Sequence, residues 1–269
     1  MARKPDAQDP LAPVRSLLER LNLTTAARCL PDLLAQAEGT HPAYSEFLRQ
    51  LLEAEQHSRW ERKLQRRRRW SKLGPPRSLE GFDWAARPQL SPQVVKELLT
   101  CRFIDEHRNV ILVGRPSTGK TTVAKALGHA ACSHALSVYY APTAEVLDTL
   151  HAARADGTYR KVFRRVTTSD LLILDDAGFS DLGRDAANEF FRVVCARDRQ
   201  RSTMVVSNLP FKQWAEFLPS PAQAVAIADR LVDDATILRF SGKSYRQPRD
   251  VHGAPLDNEI GRASCRERV

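Results

Sequence analysis

From residue 109 onward the chain alternates short apolar runs with longer stretches of helical period. The runs predict strands over 110–113, 137–140, 171–174, 203–207 and 236–240. Between them, helical spacing predicts one helix ending near 134 and others over 144–153 and 185–197. Strands alternating with helices predict a parallel five-stranded sheet covered on both faces, an α/β three-layer sandwich.

The first hundred residues carry a different rhythm. Leu17, Leu18, Leu21, Tyr44, Phe47, Leu48, Leu51, Leu52 and Glu55 recur at helical spacing, which predicts a small all-helical N-terminal domain built from a few amphipathic helices over 14–72. That run stops at Gly74-Pro75-Pro76, a strong breaker. An irregular connector follows over 78–92, with hydrophobic anchors at Phe82 and Trp84, and then one helix from Ser91 to about His107, with Ser91 as N-cap and Pro92 in the first turn. The divisions are therefore 1–73, 74–108 and 109–258. The last eleven residues, 259–269, read as a translated sequencing adapter and are set apart from the fold. Only residues 241–258 remain beyond the fifth strand, so a helical lid is expected to be reduced or absent.

Composition sharpens this picture in two places. No stretch approaches the roughly 18 consecutive apolar residues of a membrane span, and Met1-Ala-Arg-Lys-Pro-Asp6 lacks the apolar core of a signal peptide. Cysteines 29, 101, 132, 195 and 265 are scattered singly, which argues for a reducing, cytoplasmic setting and against a disulfide framework or zinc site. The net charge of +9 is concentrated: residues 59–77 hold nine basic side chains and one acid. Such a block is either a solvated helix end or a surface for a polyanion, whose condensed counterions each cation releases. On the second reading, Arg59, Arg62, Lys63, Arg66, Arg67, Arg68, Arg69 and Lys72 contact the phosphates of a nucleic acid, joined by Arg160, Lys161, Arg164 and Arg165 from the core. Phosphate contacts carry little sequence preference. For Trp60 and Trp70, stacking on bases competes with cation–π pairing inside the protein.

The turn after the first predicted strand, Gly114-Arg-Pro-Ser-Thr-Gly119-Lys120-Thr121, fits GxxxxGK[ST] between a strand and a helix. Here glycines let backbone N–H groups turn inward around phosphates, and the helix N-terminus adds positive potential. Gly114, Arg115, Pro116, Ser117, Thr118, Gly119, Lys120, Thr121 and Thr122 are thus candidate nucleotide contacts. Lys120 supplies charge to the β- and γ-phosphates, and the Thr121 hydroxyl suits Mg²⁺. Ser117 stands where glycine is frequent, which costs backbone freedom. The third strand ends in Asp175-Asp176, carboxylates delivered to the sheet edge where ligands bind. Asp175 is the candidate second metal ligand, and Asp176 the candidate general base for an attacking water.

In this order the motifs resemble the AAA+ ATPases and, more closely, the IstB-like transposition helpers related to the DnaC helicase loaders. The resemblance runs from about 15 to 250. It rests on the leucine-rich start and arginine-rich helix, Leu79-Glu-Gly-Phe-Asp83, Asn109-Val-Ile-Leu-Val-Gly114 into the phosphate loop, Leu171 to Gly178, Arg201-Ser-Thr-Met-Val-Val-Ser-Asn208, Asp229-Arg230-Leu231 and Gly242-Lys-Ser-Tyr-Arg246. It implies a P-loop NTPase of the AAA+ kind, with ATP and Mg²⁺ as cofactors. It also implies Asn208 as the sensor residue orienting water, Arg230 as an arginine finger serving a neighbouring subunit, and Arg246 at a second sensor position. Read without it, Asn208 equally suits a turn before Pro210, and Arg230 a helix-surface ion pair. The activity implied is slow ATP hydrolysis, stimulated by self-assembly and DNA. The role implied is delivery of target DNA to a transposase. A replicative helicase loader and an ATP-switched DNA scaffold with negligible hydrolysis are the competing readings.

Overall fold

The computed structural model describes residues 9–76, 78–178 and 182–242. The chain divides into two compact units, Met1–Arg66 and Arg67–Val269.

The first unit holds helices α1 (Ala12–Arg20), α2 (Thr24–Thr40) and most of α3 (Tyr44–Trp70). Its core is Ala26, Leu30 and Leu51, with Leu18, Leu23, Leu33, Leu34 and Phe47 packed around them. Leu23 precedes α2 and offers no capping side chain. Glu55 of α3 serves instead: its buried carboxylate accepts from the N–H groups of Thr25 at 2.6 Å and Ala26 at 3.0 Å. These are free amides of the first helical turn, where a negative charge is also favoured by the helix dipole. Arg59 Nε donates to the same carboxylate at 2.8 Å. Burial pushes the Glu55 pKa up, but the bonds from Arg59, Ala26 and Thr25 outweigh it and hold the carboxyl below its ordinary value.

The second unit continues with α4 (Pro92–Leu98), α5 (Arg102–Asp105), β1 (Val110–Gly114), α6 (Lys120–Ser133), β2 (Val138–Pro142), α7 (Thr143–Ala155) and α8 (Tyr159–Thr168). Then come β3 (Leu171–Ala177), α9 (Arg184–Arg197), β4 (Ser202–Ser207), a 3-10 turn (Phe211–Gln213), α10 (Trp214–Phe217), α11 (Pro221–Val232) and β5 (Thr236–Phe240). The five strands pair in parallel in the order β2-β3-β4-β1-β5. Alternate residues point to opposite faces. Val110, Leu112, Ile173 and Met204 pack with α4, α5 and α6, whereas Ile111, Leu172, Leu174 and Val205 pack with α7, α8, α9 and α11. β1, β3 and β4 are largely buried on both faces, as their continuous apolar runs predict. Among the described residues no helix is long and apolar enough to cross a membrane.

One expectation is corrected. The single helix read over 91–107 is two, α4 and α5, separated by Cys101 in a left-handed conformation at φ 62°. Val95 and Ile104 are nine residues apart, which on a straight helix points them about 180° apart. Both are buried in the same core, so the axis must break between them. The connector before α4 is irregular, as expected, with the Phe82 and Trp84 rings tilted at 58° and their centroids 4.7 Å apart.

Candidate nucleotide-binding site

Strand order assembles the site. β3, β4 and β1 are neighbours, so their C-terminal ends bring Asp175 and Asp176, Asn208, and the 114–121 loop to one edge of the sheet.

The loop geometry follows from steric limits. At Gly114 an added Cβ would lie 2.1 Å from the main-chain oxygen of Phe240, so this position admits no side chain while β5 stays paired. Ser117 adopts φ 59°, a left-handed conformation that costs an L-residue about 1–2 kcal/mol. Gly119, at φ 96°, caps α6 and aims its first amides at the loop. The Thr118 hydroxyl donates to Arg115 O at 2.8 Å, and Thr118 O accepts from Nε of the fully buried Arg87 at 2.9 Å. Lys120 is 5% exposed. Its ammonium donates to Gly114 O at 2.7 Å, Arg115 O at 2.8 Å and Asn208 Oδ1 at 2.7 Å. Burial pulls its pKa down to about 8, with Asp176 and Asp175 acting in the opposite sense.

The acidic side is equally ordered. Asp175 is 2% exposed; its Oδ1 accepts from Thr121 Oγ1 at 3.2 Å and from Asp176 N at 3.0 Å, and its Oδ2 from the Tyr140 hydroxyl at 2.7 Å. The β3–β4 register slips between Leu174 and Ala177, and Asp176 within that bulge has φ 52°. Bulges re-aim side chains beside active sites, and aspartate tolerates the left-handed region better than most residues. Asp176 is exposed, unlike its neighbour. The Thr121 hydroxyl and Asp175 carboxylate are hard oxygen donors in contact at the start of a helix, and they fit Mg²⁺. No cluster of three or more metal-ligating side chains occurs among the described residues. Mg²⁺ suits such a sparse set, because it takes its remaining ligands from water and phosphate.

The structure thus joins Lys120, Thr121, Asp175 and Asn208 by direct contact. It leaves Arg230 elsewhere. Arg230 O accepts from the side chain of Asn109, which precedes β1, so this end of α11 lies at the opposite edge of the sheet from the phosphate loop. The Arg230 guanidinium is half-buried, donates to Ala226 O at 2.8 Å, lies 5.3 Å from the Phe191 ring centroid and sits 4.0 Å from Asp198. Arg246 falls outside the described residues. Tyr140 and Arg87 went unnoticed in sequence. Tyr140 reads there as one aromatic of a strand, and nothing in Ala85-Ala86-Arg87-Pro88 marks a buried arginine.

The basic side chains divide by partner. Arg59 and Arg62 face Glu55; Lys63 lies over Trp60 at 5.4 Å; Arg68 donates to Ser133 at 3.3 Å; and Lys72 pairs with Glu145 at 2.8 Å. Arg165 is layered between Trp70 at 5.0 Å and Tyr139 at 5.1 Å, so both tryptophans of the basic block are engaged within the protein. Arg67 is partly buried. Arg66, Arg69, Arg160, Lys161 and Arg164 are exposed and make no ion pair among the described residues.

Comparison with known proteins places this architecture. Residues 16–252 match the family described as IstB-like ATP binding protein. An insertion-sequence ATP-binding protein of Sinorhizobium fredii is 34% identical over 235 residues, covering 87% of this chain and 96% of that one. The IS21 insertion-sequence ATP-binding protein of Pseudomonas aeruginosa is 33% identical over 230 residues, covering 86% and 87%. Among solved structures, replication initiator DnaA bound to AMPPCP and single-stranded DNA superposes with a TM-score of 0.54 at 21% identity, covering 64% of this chain and 52% of that one. The DnaI crystal structure gives 0.52 at 20% identity, covering 65% and 92%. These structural likenesses establish the AAA+ fold. With the family match spanning nearly the whole chain, this protein is a member of the IstB-like ATP-binding family, alongside the ATP-binding proteins of IS21-type insertion sequences.

Proposed function

We propose that the protein binds Mg²⁺–ATP at the 114–122 loop, hydrolyses it slowly, and uses the nucleotide state to control self-assembly on double-stranded DNA for a transposase. The observation that carries this reading is the convergence of the phosphate-loop lysine, the Thr121–Asp175 pair and Asn208 at three adjacent strand ends. Lys120 and the α6 N-terminus bind and orient the triphosphate. Thr121 and Asp175 hold Mg²⁺, which when bound neutralises phosphate charge. Asp176, turned outward by the bulge, is placed to take a proton from water, and Asn208 to orient that water. Arg230 has no route to its own phosphate loop, which supports a role toward a neighbouring subunit and makes turnover depend on assembly. The insertion-sequence relatives favour a transposase as the partner over a helicase.

Calorimetry with a non-hydrolysable ATP analogue, with and without Mg²⁺, tests the core of this reading, followed by hydrolysis assays with and without duplex DNA. Wild-type protein binds in a Mg²⁺-dependent manner and turns over faster on DNA; Lys120→Ala loses binding, and Asp176→Asn binds without turnover. DNA-stimulated hydrolysis surviving in Lys120→Ala disproves the site. Tight binding with no wild-type turnover establishes the scaffold reading instead.

A further inference from the structure

Tyr140 completes the fixation of Asp175. Thr121 Oγ1 and Asp176 N both bond Oδ1, so the Tyr140 hydroxyl at 2.7 Å is what engages Oδ2. A carboxylate held on one oxygen alone swings about its last torsion; held on both, it keeps a single plane. The hydroxyl is itself pinned. Lys125 Nζ lies 4.6 Å from the Tyr140 ring centroid, and Tyr140 N donates to Ser71 O at 2.9 Å. That second bond closes the outer edge of β2, an edge strand, at the residue that carries the hydroxyl. On its other side Tyr140 pairs with Ile173 of β3, the strand that ends in Asp175. The donor therefore reaches Asp175 from a strand held along both edges, with its ring held by Lys125.

We propose that Tyr140 is a positioning residue for the metal-holding carboxylate: its hydroxyl keeps Asp175 oriented with Oδ1 on Thr121 and thereby sets the affinity of the nucleotide-bound protein for Mg²⁺. This rests on the Mg²⁺–ATP reading above. It assigns Tyr140 no contact with nucleotide and no share in proton transfer.

The test is nucleotide binding by wild-type and Tyr140→Phe protein, measured in EDTA and across a Mg²⁺ titration. Affinity in EDTA stays within about twofold, because the hydroxyl acts through Asp175, which serves the metal and not the phosphate-binding amides. The Mg²⁺ midpoint rises about tenfold, the scale of one hydrogen bond to a charged group. A merely structural role for Tyr140 would lower both affinities together. An unchanged midpoint in Tyr140→Phe overturns this inference and leaves the site intact, whereas a wild-type protein that gains nothing from Mg²⁺ overturns both. If Tyr140→Phe loses nucleotide in both buffers, Lys125→Met supplies the second variant. It loosens the ring while keeping the hydroxyl, and a Mg²⁺ midpoint that it leaves unmoved also counts against the proposal.

Discussion

Lys120 Nζ donates to Asn208 Oδ1 at 2.7 Å, so the two side chains that serve phosphate and water in the proposed reaction form one bonded pair in the free protein. With Gly114 O and Arg115 O, this satisfies all three ammonium protons of a buried lysine. A triphosphate must therefore compete with Asn208 for the ammonium. Asn208→Ala is expected to destabilise the free protein by about 1–3 kcal/mol, since a buried donor loses its acceptor. Nucleotide affinity is expected to hold or improve, because the competing acceptor is gone, while turnover falls. Denaturant unfolding and calorimetry on the same variant check both; a large loss of affinity contradicts the resting pair.

The phosphate loop gives two opposite expectations from neighbouring backbone strains. Ser117→Gly relieves a left-handed conformation costing about 1–2 kcal/mol and adds about 0.5–1 kcal/mol of glycine entropy, so stability rises by up to ~1.5 kcal/mol. Gly114→Ala forces a methyl against the main chain of Phe240 in β5. Relief requires β1 and β5 to part at the paired residues Gly114 and Phe240, at a cost of ~3 kcal/mol or more together with loss of nucleotide binding. Thermal unfolding and nucleotide titration of the two variants distinguish them. Equal effects would show that the loop is not held against β5.

Much of this site was legible because its chemistry is local. The GxxxxGK[ST] spacing and the apolar run ending in two aspartates are short local signals, the strand–helix alternation is read one short segment at a time, and all three take their expected places. What escaped depends on pairs distant in sequence. Arg197, fully buried, donates to the carbonyls of Val166, Thr167 and Ser169 at the end of α8 and to Ser202 O at the start of β4. Burial pushes its pKa down to about 9, and the sequence marks it only as the last charge of a helix. Tyr140 and Arg87 escaped for the same reason. The α4–α5 break was missed because helical spacing reports a local face, whereas the core position of Ile104 is set by strands that follow it.

Glu55 makes the helical unit sensitive to acid. Its folded pKa lies below the unfolded value, so the stabilisation is present above the ordinary carboxylate range and lost as pH falls through the folded pKa. Protonation removes an acceptor from Thr25 and Ala26 and the counter-charge from Arg59. Hydrogen exchange of the full chain should show α2 opening at acidic pH before the sheet does. Glu55→Gln should weaken α2 by ~1–3 kcal/mol at neutral pH and flatten its acid dependence. Protection of α2 unchanged by Glu55→Gln would exclude the carboxylate as its cap.

The last expectation separates basic residues that build the fold from those free to meet DNA. Arg59 spends its guanidinium on Glu55 and Asn22 O, whereas Arg66, Arg69, Arg160, Lys161 and Arg164 are exposed and make no ion pair among the described residues. Arg59→Ala should therefore lower the stability of α2 and α3 while leaving the salt slope of DNA binding nearly unchanged. If all five exposed cations contact phosphates, log affinity falls against log salt with a slope near about −4 to −5, and replacing Arg160, Lys161 and Arg164 together with alanine reduces that slope by about 3 units. The triple variant should unfold like wild type, because no ion pair is lost. Filter binding or fluorescence anisotropy at several salt concentrations gives the slopes. A slope reduced by Arg59→Ala but untouched by the triple variant would reverse the assignment, placing the phosphate track on the Glu55 side of α3 rather than on α8.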